Sequence, residues 1–288
     1  MSVSAVSVTP RRFDDPPVVL TFDLEEWFCV CGEDFYGDVR RWDGFEKRVE
    51  PVTRGVILEE LAAGGHRATF FVLGWVAQRY PRLVREIAAA GHEIAFHGMR
   101  HRRVAELGLS AFRSELRDGR ALLEDLSGAP VAGHRAAEWS ITSLRNPALE
   151  VLAEEGFRYD ASVTPIPVVG RRDNPIFPVD LSFPSGGTLS EFPPLSGRGW
   201  GQIVHFGGGW AFRSVAFGRV MRRAEEFRSL GAPAIFTFHP WELDSEHPGM
   251  PGLSALLRLA LFARARRLPG RFRRLLARQR THALSELA

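Results

Sequence analysis

The 288-residue sequence is almost without lysine: Lys47 is the single one, and every other member of its 37 basic residues is arginine. Against 34 acidic residues this leaves a net charge of only +3, so the skew reflects composition bias rather than a binding code and gives no case for nucleic acid. Cysteine is nearly absent too. Cys29 and Cys31 cannot make a disulfide framework or a four-cysteine zinc site. A bridge between residues two apart would be badly strained, so they read as reduced thiols beside a strand end. No run of 18 apolar residues occurs, which excludes an apolar transmembrane helix. Residues Met1 to Arg12 lack a basic region followed by an apolar stretch and do not read as a signal peptide. The expectation is a cytoplasmic protein. With 45% hydrophobic and 25% charged residues, no long repeat and no low-complexity tract, the chain is neither disordered, collagen-like nor coiled coil.

What is present is an alternation of strand and helix patterns. Val18–Phe22 is a short apolar, β-rich run that stops in acidic residues. A helix is expected over Val52–Ala63, a strand over Ala68–Leu73, a helix over Val76–Ala90 and a strand over Glu93–Phe96. Ser110–Leu126 reads as an amphipathic helix with Ser110 as N-cap. Leu149–Glu155 then leads to a strand near Phe157–Asp160, and Val215–Leu230 to one at Ala234–Phe238. Gly64, Gly91 and Gly156 each end a helix just before a strand, where the left-handed position suits glycine. Repeated units of this kind imply an α/β fold around a buried parallel sheet, open or closed. From Thr164 to Arg213 the periodicity fades, and so long an irregular stretch in one domain is usually functional.

Polar residues interrupt the apolar strands at four places: Asp23-Leu24-Glu25-Glu26, His97 to His101, His134-Arg135, and His239 to Glu242. Parallel α/β folds gather the C-terminal ends of their strands on one edge, so these segments are expected to converge. His97 and His101 are four apart, and a helical turn would aim both imidazoles at one cation. Two histidines and a carboxylate make a common open metal site, with zinc favoured among divalent ions. An extended segment alternates its faces, so Asp23 and Glu25 share a side and Glu25 rather than Glu26 is the expected carboxylate ligand. His66 and His92 are read as capping or surface residues. Gly207-Gly208-Gly209 lacks the setting of a phosphate loop and is expected to let backbone approach a substrate or a neighbouring strand closely.

On these residues the sequence resembles the polysaccharide deacetylases of carbohydrate esterase family 4, the NodB-homology fold, and within it the group from bacterial exopolysaccharide loci. Thr21-Phe22-Asp23 is similar to the family's first motif, His97-Gly98-Met99-Arg100-His101 to the second, Gly133 to Trp139 to the third and Phe236 to Glu242 to the last. Asp160 is a weaker match to the fourth. Leu24 stands where the commonest first motif has a second Asp, and Ala137 where the third has Pro.

The resemblance implies a single-domain distorted (β/α) barrel of about seven parallel strands over residues 18–288, after a lead-in over 1–17. It further implies a metal-dependent hydrolase that removes N-acetyl groups from an N-acetylated polysaccharide or oligosaccharide by metal-activated water. Asp23 would be the general base, Arg135 its orienting partner and His239 the general acid, with Glu25, His97 and His101 on the metal. Trp139 and Trp241, like Trp210, are divided between core packing and sugar stacking. The rivals are an amidohydrolase of small amides and a catalytically inactive glycan-binding member. Residues 254–288, rich in Arg among Leu, Ala and Phe, are expected to form a basic helical tail, docked on the barrel or touching an anionic membrane or acidic glycan.

Overall fold

The computed structural model describes residues 6–29, 38–199, 201–250, 252 and 262–288. Its strands are β1 (Ser7–Pro10), β2 (Val18–Leu24), β3 (Thr69–Val72), β4 (Glu93–Phe96), β5 (Gly133–His134) and β6 (Tyr159–Asp160). They continue with β7 (Val179–Ser182), β8 (Thr188–Glu191), β9 (Ser196–Gly199), β10 (Gln202–His205), β11 (Ala234–Phe238) and β12 (Thr281–His282). One sheet runs in the order β1-β7-β8-β6-β5-β4-β3-β2-β11, with β12 beside β2. From β8 to β11 every pairing is parallel, a run of seven strands; β7 and β1 add an antiparallel edge.

Ladder pairing stops at β8 and β11, yet backbone hydrogen bonds bridge the two ends. Beyond β8 the Leu195 N–H donates to the Ile235 carbonyl, the Gly207 N–H to that of Leu195 and the Thr237 N–H to that of Gly207, each at 3.0 Å. The result is an irregularly closed α/β barrel, as the resemblance implied. Gly207 and Gly209 show why glycine is needed here. A Cβ at Gly207 would lie 2.4 Å from the Ile235 carbonyl oxygen, and one at Gly209 2.0 Å from the Glu242 carboxylate.

The alternation of side chains along each strand separates two cores. Leu20, Phe22, Phe70, Ile94, Phe96 and Phe236 point outward into the large cluster beneath the helices. Val19, Phe71, Ala95, Tyr159 and Ile235 fill the interior, with Leu284 from the C-terminal segment against them. Counting on by two from the interior residues reaches Thr21 and Asp23, His97, and Thr237 and His239. The parity of the sequence therefore aims these polar groups into one mouth of the barrel.

Several local expectations are corrected. Pro81 splits the helix foreseen over 76–90 into Gly74–Arg79 and Pro81–Ala89, because the residue before a proline is driven out of the helical region; Tyr80 sits at φ −125°, ψ 59°. Gly108, not Ser110, is the N-cap of the helix Leu109–Ser127, at φ +73°. Gly91 and Gly156 are left-handed as expected, but in the first unit Gly65 takes that role in place of Gly64. The stretch expected to be irregular holds β7 to β10. Of the expected tail, residues 254–261 lie outside the described residues. The remainder contains the helix Leu268–Leu276, which buries Leu268, Phe272 and Leu275, and Arg271 donates to the Val215 carbonyl at 2.6 Å. Cys29 is buried, and Cys31 lies outside the described residues. No described helix is long and apolar enough to cross a membrane.

Candidate metal centre and proton-transfer site

Strand β2 delivers Asp23 at its end, and the Glu25 N–H then donates back to the Asp23 carbonyl at 3.0 Å, a tight turn that keeps both side chains in the mouth. Leu24 points the other way, into the outer core. Glu25 Oε2 lies 2.7 Å from His101 Nε2 and 3.5 Å from His97 Nε2. One ligand atom from each of the three falls within 4.8 Å of the others, and all three residues are buried. His97 Nδ1–H donates to the Arg135 carbonyl at 2.8 Å, which leaves its Nε2 bare and aimed at Glu25. The two histidines do not converge through a helical turn. The loop after β4 bends, with Gly98 at φ +81° and His101 itself at φ +51°.

Glu25 Oε2 is buried and makes no hydrogen bond. A carboxylate oxygen orphaned against two imidazole nitrogens is what a cation resolves, and the donor set of two nitrogens and one oxygen suits a divalent transition metal. Burial raises the Glu25 carboxyl, but His101 and His97 beside it hold it far below the ordinary range. Glu26 faces elsewhere: its carboxylate accepts the Arg48 N–H at 2.9 Å, and burial pushes it up to about 7.

Asp23 is fixed by Arg135, whose Nη1 donates to Asp23 Oδ1 at 2.6 Å and to Thr21 Oγ1 at 3.1 Å while its Nε donates to the Ala161 carbonyl at 3.1 Å. The guanidinium lies between the rings of Phe71 and Trp139, 4.0 and 4.9 Å from their centroids. Burial works against the Asp23 carboxylate; Arg135, His97 and His239 outweigh it and keep the group ionised. His134, the outward neighbour, gives its Nδ1–H to Asp160 Oδ1 at 2.7 Å. Ser162 Oγ donates to the same Asp160 oxygen and accepts the Ala136 N–H, so Asp160 braces the backbone that carries Arg135.

At the end of β11, His239 Nε2 is 3.7 Å from both Asp23 Oδ2 and Glu25 Oε1. Its Nδ1–H donates to Glu242 Oε2 at 3.1 Å, and Arg213 Nη1 donates to Glu242 Oε1 at 3.1 Å. Burial disfavours the imidazolium, but Glu242, with Glu25 and Asp23, offsets it and pushes His239 up to about 9. Trp241 stacks on the His239 ring at 5.3 Å between centroids, and Trp139, half-buried, lies over Arg135; Trp210 is 47% exposed.

The four polar strand ends thus meet in one place. Sequence reasoning missed three residues of the mouth: Glu242 and Arg213 behind His239, and His205, whose ring packs on Trp139 at 5.5 Å. Burial and the Arg135 charge push His205 down to about 3, so it is neutral. Glu242 stood within a quoted motif, three residues after His239; nothing local marked the other two. His66 and His92 stay outside the mouth as expected, but both are buried rather than on the surface.

Against known proteins, the polysaccharide deacetylase family model matches residues 11–159, and a domain of unknown function (DUF3473) matches 161–288. The peptidoglycan deacetylase of Helicobacter pylori is 29% identical over 96 residues, 33% of this chain and 32% of that protein. A chitooligosaccharide deacetylase of Rhizobium leguminosarum bv. trifolii is 38% identical over 74 residues, 26% of this chain and 34% of that protein. The matches to these curated relatives span about a third of their length. A Mycobacterium smegmatis crystal structure assigned to the polysaccharide deacetylases superposes with a TM-score of 0.58 at 22% identity, covering 96% of both chains, a likeness of fold.

Proposed function

Because this chain belongs to the polysaccharide deacetylase family, we propose that it is a metal-dependent deacetylase that hydrolyses N-acetyl groups of an N-acetylated polysaccharide or oligosaccharide. The observation that carries the reading is the convergence, in one barrel mouth, of Glu25, His97 and His101 with an Asp23–Arg135 pair and a His239–Glu242 pair. Glu25, His97 and His101 would hold a divalent ion, with zinc favoured by the donor set. When bound, such an ion supplies Lewis acidity and makes water a usable nucleophile near neutral pH.

The chain's own groups supply the proton transfers. Asp23 Oδ1 is tied to Arg135, which leaves Oδ2 to take the proton of the attacking water. An amide nitrogen leaves poorly as an anion, and His239 Nε2, 3.7 Å from Asp23 Oδ2, delivers the proton that releases it as an amine. Glu242 holds the opposite ring nitrogen, so the imidazole presents Nε2 to the mouth. Trp139 and Trp241 flank these groups and offer aromatic faces to a sugar ring.

The test is acetate release from an N-acetylglucosamine oligomer with bound metal quantified in parallel. His97→Ala/His101→Ala loses both metal and turnover, whereas Asp23→Asn keeps the metal and loses about 10²–10⁴-fold in turnover. Acetate release by a metal-free double variant refutes the reading.

A further inference from the structure

A second cavity, of about 730 Å3, opens between the β9–β10 hairpin, the helix Phe217–Ser229 and the loop that carries Arg172. None of the residues assigned to metal or proton transfer lines it. Five arginines do, Arg172, Arg198, Arg219, Arg222 and Arg223, against one carboxylate, Glu226. That carboxylate is already engaged: Arg223 Nη1 donates to Glu226 Oε2 at 2.9 Å, and Arg223 Nε to the Ser196 carbonyl at 2.9 Å. Arg172 donates to the side-chain amide oxygen of Gln202 at 2.6 Å. Arg198, Arg219 and Arg222 have no ion-pair partner among the described residues.

Arg219, Arg222 and Arg223 lie three and four apart, on one face of the helix. Like charges at that spacing destabilise a helix, and its two acids are already taken up, Glu226 by Arg223 and Glu225 by Arg228. The remaining lining is apolar, from Ile176, Ile203 and Phe206. Guanidinium forks match planar carboxylates two bonds at a time, and an apolar floor covers the face of a sugar ring. A bare inorganic anion would use the first feature and leave the second without a purpose. The hairpin also joins this cavity to the catalytic mouth: β10 ends at His205, which packs on Trp139, and the next residue, Phe206, lines the cavity.

We propose that the cavity is an accessory subsite for acidic sugar residues, borne on the same glycan chain whose N-acetyl group enters the catalytic mouth. The proposal rests on the deacetylase reading for the identity of that chain, but its binding test does not require turnover. The probes are a hexasaccharide alternating glucuronate with N-acetylglucosamine, neutral chitohexaose, tripolyphosphate and anionic vesicles, each titrated into the full-length, metal-loaded protein. The acidic hexasaccharide binds more tightly than chitohexaose, with an affinity that falls as salt is raised. Arg198→Gln/Arg219→Gln/Arg222→Gln weakens that binding at least about tenfold and leaves kcat on chitohexaose unchanged. Equal binding by the triple variant, or no preference for the acidic chain, overturns the proposal. Tighter binding of tripolyphosphate or vesicles, lost in the triple variant, overturns it in favour of a phosphate or a membrane. Failure to release acetate from either glycan, with acidic binding intact, refutes the deacetylase reading and leaves the subsite standing.

Discussion

Glu242→Gln isolates the group that holds His239. In the native site Glu242 Oε2 accepts from His239 Nδ1–H at 3.1 Å and from the His239 backbone N–H at 3.2 Å, while Oε1 accepts from Arg213 at 3.1 Å. Glutamine keeps one acceptor and turns the other into a donor. Whichever way the amide faces, either His239 or Arg213 meets an N–H instead of an oxygen. Arg213 is buried and charged, so the amide oxygen stays with it and the His239 contact is the one lost. A hydrogen bond to a charged group is worth about 1.5–3 kcal/mol, which translates to about a 10- to 150-fold loss in kcat. KM changes little, because Glu242 meets His239 and Arg213. Gly209→Ala attacks the same carboxylate sterically, its Cβ falling 2.0 Å from Oε1 as the backbone stands, and is expected to lower kcat in the same direction. The assay is acetate release with metal content and thermal unfolding followed in parallel. A folded, metal-loaded Glu242→Gln enzyme with kcat within about twofold of the parent refutes the positioning role, since that lies far below the loss just derived.

Two further predictions address the other carboxylates. Glu25→Gln strongly weakens metal affinity and Glu26→Gln does not, because Glu25 faces both imidazoles and Glu26 faces the Arg48 backbone; competitive metal titration ranks them, and the reverse order reassigns the ligand. Glu191 is buried beside Asp160, and desolvation followed by that neighbour's charge pushes its carboxyl far up. The folded protein then keeps a proton that the unfolded chain has released, so the contribution of Glu191 to stability falls as pH rises from the ordinary carboxylate range towards the folded value. Glu191→Gln cannot lose that proton, and its melting temperature declines less steeply with pH above the ordinary carboxylate range; parallel curves for variant and parent refute the assignment.

Much of the fold was legible because its strands are apolar on both faces and end abruptly. Val18–Phe22, Glu93–Phe96 and Ala234–Phe238 all form strands where the apolar runs stand, and the polar residues that break them are those of the mouth. The region 164–213 was not legible. β7 to β10 are four residues each: β7–β8 and β9–β10 form short local hairpins, while β7 and β8 also pair with the distant β1 and β6, so no apolar period runs long enough to read. Arg213 and His205 were hidden for the same reason: each sits beside no motif and reaches the site only because the hairpin and the helix Gly209–Ser214 fold back over β11. The reverse holds for His97 and His101. Their pairing was readable from spacing, although the conformation that brings them together is a pair of left-handed residues rather than a helical turn.

The carboxylates of the barrel mouth are set apart by their partners rather than by their type. Asp23 meets a guanidinium, and that contact keeps it ionised while one oxygen stays open to the mouth. Glu242 is also met by a guanidinium but spends its second oxygen on His239. Glu25 alone has only imidazoles in reach, and one of its buried oxygens makes no hydrogen bond at all. Leaving a buried polar group unsatisfied costs about 1–3 kcal/mol, more for a charged one. A barrel that served only to bind glycan would gain by replacing Glu25 with an apolar residue of similar volume, since no buried carboxylate oxygen would then be left unsatisfied. Retaining the carboxylate in that position makes physical sense when a cation completes it, and the environments of the other two then fall into a base and the orienter of an acid. The arrangement therefore favours a working hydrolase over a silent relative of the fold.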